Sequence, residues 1–206
     1  MLPRLECPYA KLDPVSADID AAMWRGIAPI FLKENIAGGE PLQATWFKAA
    51  WDERELRVLF HSVDSYAWAT HTAHDAPLYD EEVVEIFLDP VGDLESYFEI
   101  EVNPLNAVCD LVLRRSLSGY KKDFGWHCDG MQTFVKTGAD FWTVEMSIPF
   151  ASLGSAASPA AGNIWRANFH RIDRPRDSEW ELSAWSPTGQ KRFHIQEKFG
   201  HLEFVR

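Results

Sequence analysis

Short runs in which apolar and polar residues alternate one for one recur along this chain, and they leave little room for anything but β-structure. In a strand, successive side chains leave opposite faces. Val83–Asp89 thus places Val84, Ile86 and Leu88 on one face and Glu85 and Asp89 on the other. Tyr97–Asn103 sets Phe98, Ile100 and Val102 against Glu99, Glu101 and Asn103, and Ile164–Ile172 sets Trp165, Ala167 and Phe169 against Arg166, Asn168 and His170. The spacing predicts further strands at Thr45–Trp51, Leu56–Val63, Ala107–Leu113, Trp142–Ile148 and His201–Val205. Asp52-Glu53-Arg54-Glu55 reads as a hairpin turn, and Pro149 ends its strand because proline has no N–H to give a ladder. No segment carries a long helical period. The expectation is an all-β, antiparallel β-sandwich of jelly-roll type with short helical turns in its loops. It would form one domain over residues 1–206, since strand patterns continue on both sides of the small-residue loop Ser155–Gly162.

The length allows a core of that size. A net charge of −11 argues against nucleic acid and anionic membranes as partners, because both are held by clustered cations. The pairs Arg114-Arg115 and Lys121-Lys122 are too short to reverse this. No apolar run approaches the roughly 20 residues of a membrane helix. The first residues lack the apolar stretch of a signal peptide, so a cytoplasmic chain is expected unless a leader has been removed. Cys7, Cys109 and Cys128 match no zinc spacing and read as buried thiols. His71-Thr-Ala-His74 would align two imidazoles only in a helix. The stretch reads as loop, and neither this pair nor His61 is expected to bind metal. No nucleophile triad order and no Gly-rich phosphate loop is present.

Six phrases stand out in order: Glu82-Val-Val-Glu-Ile-Phe-Leu-Asp-Pro90, Tyr97-Phe-Glu-Ile-Glu-Val-Asn-Pro-Leu-Asn106, Trp142-Thr-Val-Glu-Met-Ser-Ile-Pro149, Trp165-Arg-Ala-Asn-Phe-His-Arg171, Ala184-Trp-Ser-Pro187 and Lys198-Phe-Gly-His-Leu-Glu-Phe204. In this order and spacing the chain resembles the family 9 carbohydrate-binding modules from about Asp18 to its C-terminus. The resemblance implies a β-sandwich that holds a terminal sugar between two aromatic rings over a polar sheet face, often beside a carbohydrate-active enzyme such as a xylanase. It puts the two rings at Tyr79 and Phe193, where characterised members resemble tryptophan. It also implies structural calcium, although Ala17-Asp-Ile-Asp20 departs from the family's Asp-Gly pattern.

From the residues themselves, the candidate sugar-binding groups are Glu85, Glu99, Glu101, Asn103, Asn168 and His170 on the polar strand faces. Trp68, Trp185 and His194 are loop alternatives for the ring positions. Carboxylates, amides and imidazoles suit hydroxyl groups because they accept, donate or switch. Of the nine tryptophans, Trp51, Trp142 and Trp165 are expected in the core, with Trp24 and Trp46 also structural. Two other readings stay open. One is a glycoside hydrolase using Glu85 with Glu99 or Glu101 as its paired carboxyls. The other is a haem-binding sandwich, for which the methionines are Met1, Met23, Met131 and Met146 and no c-type attachment motif exists.

Overall fold

The computed structural model describes residues 1–154, 159–176 and 179–206, so the Ser155–Ser158 part of the small-residue loop lies outside the described residues. Among these residues the strands in chain order are β1 (Arg4–Pro8), β2 (Ile30–Phe31), β3 (Lys33–Glu34), β4 (Thr45–Trp51), β5 (Glu55–Val63), β6 (Val83–Asp89), β7 (Ser96–Val102), β8 (Val108–Ser116), β9 (Gly119–Asp123), β10 (Gln132–Thr137), β11 (Phe141–Pro149), β12 (Ile164–Asp173), β13 (Glu181–Ala184) and β14 (Gly200–Val205). The only helical elements among them are single 3₁₀ turns, such as Leu78–Asp80 and Gln196–Lys198. None is long and apolar enough to cross a membrane.

Two sheets face each other. One runs β1-β14-β12-β6-β7-β8-β9, with β13 also pairing β12 and β3; the other runs β10-β11-β5-β4-β2. The pairing is antiparallel except that β1 lies parallel to β14, an edge the alternation of the sequence did not announce. The turn after β4 forms as expected: Asp52 Oδ1 accepts from the backbone N–H of Arg54 (2.7 Å) and Glu55 (3.0 Å), satisfying the hairpin's free donors.

The main core lies between the sheets. Val84, Ile86, Leu88, Ile100, Val102, Trp165, Ala167 and Phe169 come from one sheet, and Phe47, Ala49, Trp51, Val58, Phe60, Trp142, Val144 and Met146 from the other. Phe98 belongs to the same face but is only partly buried, its ring 4.7 Å from Trp126. The two sheets meet at Phe47 and Phe169, stacked at 4.0 Å. Burying such a ring contributes roughly 1.5–3 kcal/mol. Trp185, a candidate ring for a ligand, also lies here, edge-on to Phe169 (5.7 Å) and Phe47 (6.2 Å). That corrects its assignment: the ring is only 6% exposed and packs over Gly200, where a Cβ would overlap it.

A second apolar cluster covers the outer face of the larger sheet. Leu78, Phe193 and Phe199 pack there on Val83, Phe87, Tyr97, Leu111, Leu113 and Ile172. Every residue of β6 is therefore buried. The face that alternation marked as polar and open is closed over by the loops 64–82 and 185–199. Between sheet ends, the fully buried Arg171 binds Asp64 (2.7 Å), Asp173 (3.3 Å) and Glu82 (3.4 Å) and donates to Thr45 Oγ1 (3.1 Å).

Candidate functional site

Strand register brings the sequence-predicted carboxylates into one block on the outer face of the larger sheet. His170 on β12, Glu85 on β6, Glu101 on β7 and Cys109 on β8 are successive cross-strand partners. In the adjoining row on the same face stand Asn168, Phe87, Glu99 and Leu111. Glu85, Glu99, Glu101 and His170 thus share one face, as expected, but each is almost wholly buried rather than solvent-accessible. The cause is the apolar lid: the Phe193 ring stacks on the His170 ring at 4.2 Å, and the His194 ring stacks on Phe87 at 5.3 Å.

Such a block is electrostatically costly. Like charges directly opposed across two strands repel, and burial removes the water that would screen them. Burial first, then the charge of Glu99, pushes the Glu85 carboxyl well above the ordinary range, with Lys122 pulling it part of the way back. Glu101 is pushed well up in the same way, by burial and then by Glu85 and Glu99. His170 is driven well below its usual value by burial and by His194, so it stays neutral. His194 is also lowered by burial, against the opposing pull of Glu99.

The block is also short of partners. Oε2 of Glu99, both carboxylate oxygens of Glu101 and both ring nitrogens of His170 are buried and have no hydrogen-bond partner among the described residues. Buried polar groups are nearly always paired, and each exception costs about 1–3 kcal/mol. Protonation offers partial relief, since a protonated Glu101 can bond to Glu99.

The rim is formed by residues from three segments. Tyr79, in the 3₁₀ turn Leu78–Asp80, is partly exposed, and Lys122 Nζ of β9 lies over its ring at 4.8 Å. His194 Nδ1 is 2.7 Å from the Tyr97 hydroxyl and 3.8 Å from Glu99 Oε2. Beside the block opens a pocket of about 440 Å³ lined by Leu113, Tyr120, Lys122, Arg192, His194 and Glu197, among others. That volume is in the range of small-molecule sites, ~300–1,000 Å³. Lys122 was legible in the sequence only as half of a basic pair; its place over the carboxylates depends on the β8–β9 hairpin folding back.

Other candidates are used by the fold. Asn103 donates to the His71 carbonyl (2.8 Å) and accepts from Leu105 N (3.0 Å) and Ala107 N (2.9 Å), so its amide closes a turn instead of meeting a ligand. Asn168 donates to the Ser186 carbonyl and accepts from Ser186 N, both at 2.9 Å, pinning the loop after Trp185. Trp68 lies apart from the carboxylate block, in a second pocket with Tyr66, Arg174, Arg176 and Trp180, and donates to the Arg174 carbonyl (2.9 Å).

Among the described residues, two groups bring three or more possible metal ligands together. Asp64, Glu82 and Asp173 are one, but the Arg171 guanidinium already stands among them as the cation. The other is His74, Asp75, Asp110 and His127. Neither offers the six to eight oxygens that calcium prefers, so the structural calcium implied by the resemblance finds no fit in them.

A family model described as carbohydrate family 9 binding domain-like matches residues 15–206. No curated protein matches the chain. Among solved structures, a candidate carbohydrate-binding protein from Bacteroides uniformis superposes with a TM-score of 0.75 at 18% identity, covering 99% of this chain and 100% of that one. A family 9 carbohydrate-binding module from Caldicellulosiruptor kristjanssonii, solved with cellotriose, gives 0.74 at 19% identity over 98% of this chain and 94% of that one. The glucose complex of a family 9 module from the same organism gives 0.73 at 19% identity over 99% and 97%. At these identities the structural likeness speaks for the shared sandwich.

Proposed function

The chain belongs to the carbohydrate family 9 binding domain-like family, and from that premise we propose that it binds a carbohydrate without acting on it. The observation that carries the reading is the set of buried, unpaired polar atoms on Glu99, Glu101 and His170 beneath a rim of aromatic rings and one lysine. A sugar hydroxyl both donates and accepts, so it can pair a carboxylate oxygen, a protonated carboxyl and a neutral imidazole alike. The C–H face of the sugar ring packs on an aromatic plane, which the exposed Tyr79 ring can supply; Phe193, like Trp185, is buried, stacked on His170, and is available only when its loop moves. Phe193 on His170 and His194 on Phe87 are the rings that close the block, so a sugar reaches the carboxyls by movement of the 185–199 loop, with Lys122 beside His194 at the edge of that opening.

The hydrolase reading fits less well. A glycosidase sets its two carboxyls on either side of the scissile bond, one of them ionised as nucleophile or base. Glu85 and Glu101 instead stand side by side on one sheet face, and both are pushed towards the neutral form. The related modules from Caldicellulosiruptor kristjanssonii are described with cellotriose and with glucose, which makes glucose-type sugars the first ligands to try. Service in polysaccharide breakdown beside a carbohydrate-active enzyme is the setting this reading implies. A calorimetric screen of mono- and oligosaccharides tests it. Saturable one-to-one heat with at least one sugar is expected; flat titrations across a panel that includes glucose, xylose and cellotriose would remove the proposal.

A further inference from the structure

His74, Asp75, Asp110 and His127 come from three separate segments: the loop before β6, strand β8 and the loop between β9 and β10. Their donor atoms converge on one point. Asp110 Oδ1 is 3.2 Å from His74 Nε2 and 3.2 Å from His127 Nδ1. The two ring nitrogens are 3.3 Å apart, His74 Nε2 is 3.4 Å from Asp75 Oδ1, and His127 Nδ1 is 4.0 Å from Asp75 Oδ2. A tetrahedral zinc ion bound at ~2.0–2.1 Å by nitrogen and oxygen requires ligand–ligand edges of about 3.3–3.4 Å. Four of these five separations fall within about 0.2 Å of that value; the fifth runs to the other Asp75 oxygen and is longer. With one donor atom from each residue, all lie within 4.8 Å of one another. Closing on an ion therefore requires the Asp75 carboxylate, which also accepts from Asp110 N at 3.4 Å, to turn inward.

From this convergence we infer that the four side chains form a structural site for a zinc-class divalent ion. The supports around them are those of a metal centre. Asp110 is buried, and its second oxygen accepts from Cys128 N at 2.7 Å, which aims Oδ1 at the two imidazoles. Asp75 holds a left-handed backbone (φ 59°), with its N–H on the Val108 carbonyl at 3.0 Å. Two imidazoles with two carboxylates suit zinc, cobalt or a similar ion, not calcium or magnesium. Four protein ligands fill a tetrahedron, so the ion is structural and leaves no open position for chemistry. His74 and His127 are half exposed, which leaves a path for it to enter. Bound there, the ion fastens the loop that leads into the Tyr79 turn to strand β8 and to the 124–131 loop.

The test uses the full chain without an affinity tag, stripped with a chelator and titrated with ZnCl2, with CoCl2 as the spectroscopic probe. One equivalent of Zn2+ is expected to bind and raise the melting temperature, and Co2+ is expected to give the intense visible absorption of a tetrahedral complex. Cys109 and Cys128 are buried thiols next to the ligands Asp110 and His127, so the Co2+ spectrum must also lack the near-ultraviolet sulfur-to-cobalt charge-transfer band that thiolate ligation would give. His74→Gln and His127→Gln alter half-exposed side chains and should melt like the metal-free parent, while each weakens Zn2+ binding by at least about 10–100-fold. Failure of the parent to bind Zn2+, unchanged affinity in both variants, or a preference for CaCl2 would each overturn the assignment. None of these outcomes bears on sugar binding, which is measured separately.

Discussion

Glu101→Gln exchanges one buried carboxyl for an amide of the same shape, and the structure sets both the sign and the scale of the effect. Glu101 has no donor on either oxygen among the described residues, stands opposite Glu85 and is preceded on the same face by Glu99. Its folded-state proton affinity is raised well above that of a free carboxyl. In the unfolded chain the group ionises near pH 4.3. Above that pH the folded state holds a proton the unfolded state has released, so stability is greatest at low pH and falls as pH rises. The slope is roughly 1.4 kcal/mol per pH unit for each retained proton. Glutamine carries no such proton and also relieves Glu85 of a neighbour. Urea unfolding at pH 4, 5, 6, 7 and 8 should find the two proteins alike at the acid end. The variant should then pull ahead as pH rises, by roughly 1.4 kcal/mol for each pH unit over which Glu101 keeps its proton. Parallel stability curves across that range would refute the picture of a buried, unpaired carboxyl block.

Two further perturbations probe the frame around the site. Arg171→Met leaves Asp64, Glu82 and Asp173 without their buried cation, although burial already pushes Glu82 up to about 9. A loss of about 3–5 kcal/mol in urea unfolding at pH 7 is expected, shrinking in acid as those carboxyls protonate; a loss below about 1 kcal/mol would contradict the network's role. Gly200→Ala drives a Cβ into the Trp185 ring and to 2.9 Å from the Pro3 carbonyl. Overpacking there should cost about 1–3 kcal/mol by thermal unfolding, and an unchanged melting temperature would contradict the packing described.

The strands were legible because the main core takes one side chain in two. Val83–Asp89 and Thr45–Trp51 form at the bounds their alternation implies, and the polar edge strands Gly119–Asp123 and Gln132–Thr137 were missed because they bury no regular stripe. The closure of the polar face was less legible, though a trace of it was present. Phe87 sits between Glu85 and Asp89, and Tyr97 precedes Glu99 on the same face. Large rings on both faces of a strand signal that both are covered. What covers them, Leu78, Phe193 and Phe199, comes from far along the chain, and only tertiary contact reveals it. The same holds for His127 and Asp110, which meet His74 across separations of tens of residues with no spacing to mark them. Trp185 looked like a loop ring because its neighbours do not alternate; Gly200 opposite it makes the space that draws it inward.

The central claim, a sugar held over the carboxylate block beneath Tyr79, is tested most directly by isothermal titration of one sugar into three proteins side by side. These are the parent, Tyr79→Ala and Glu101→Leu, each first shown to be folded, with the best ligand from the screen. Removing the stacking ring should weaken binding by about 1–3 kcal/mol, roughly fivefold to 150-fold. Removing the carboxyl should weaken it by a similar factor, since a hydroxyl loses its partner. Both losses together are what the account predicts; parent affinity in both variants would place the sugar elsewhere on the sandwich and contradict it.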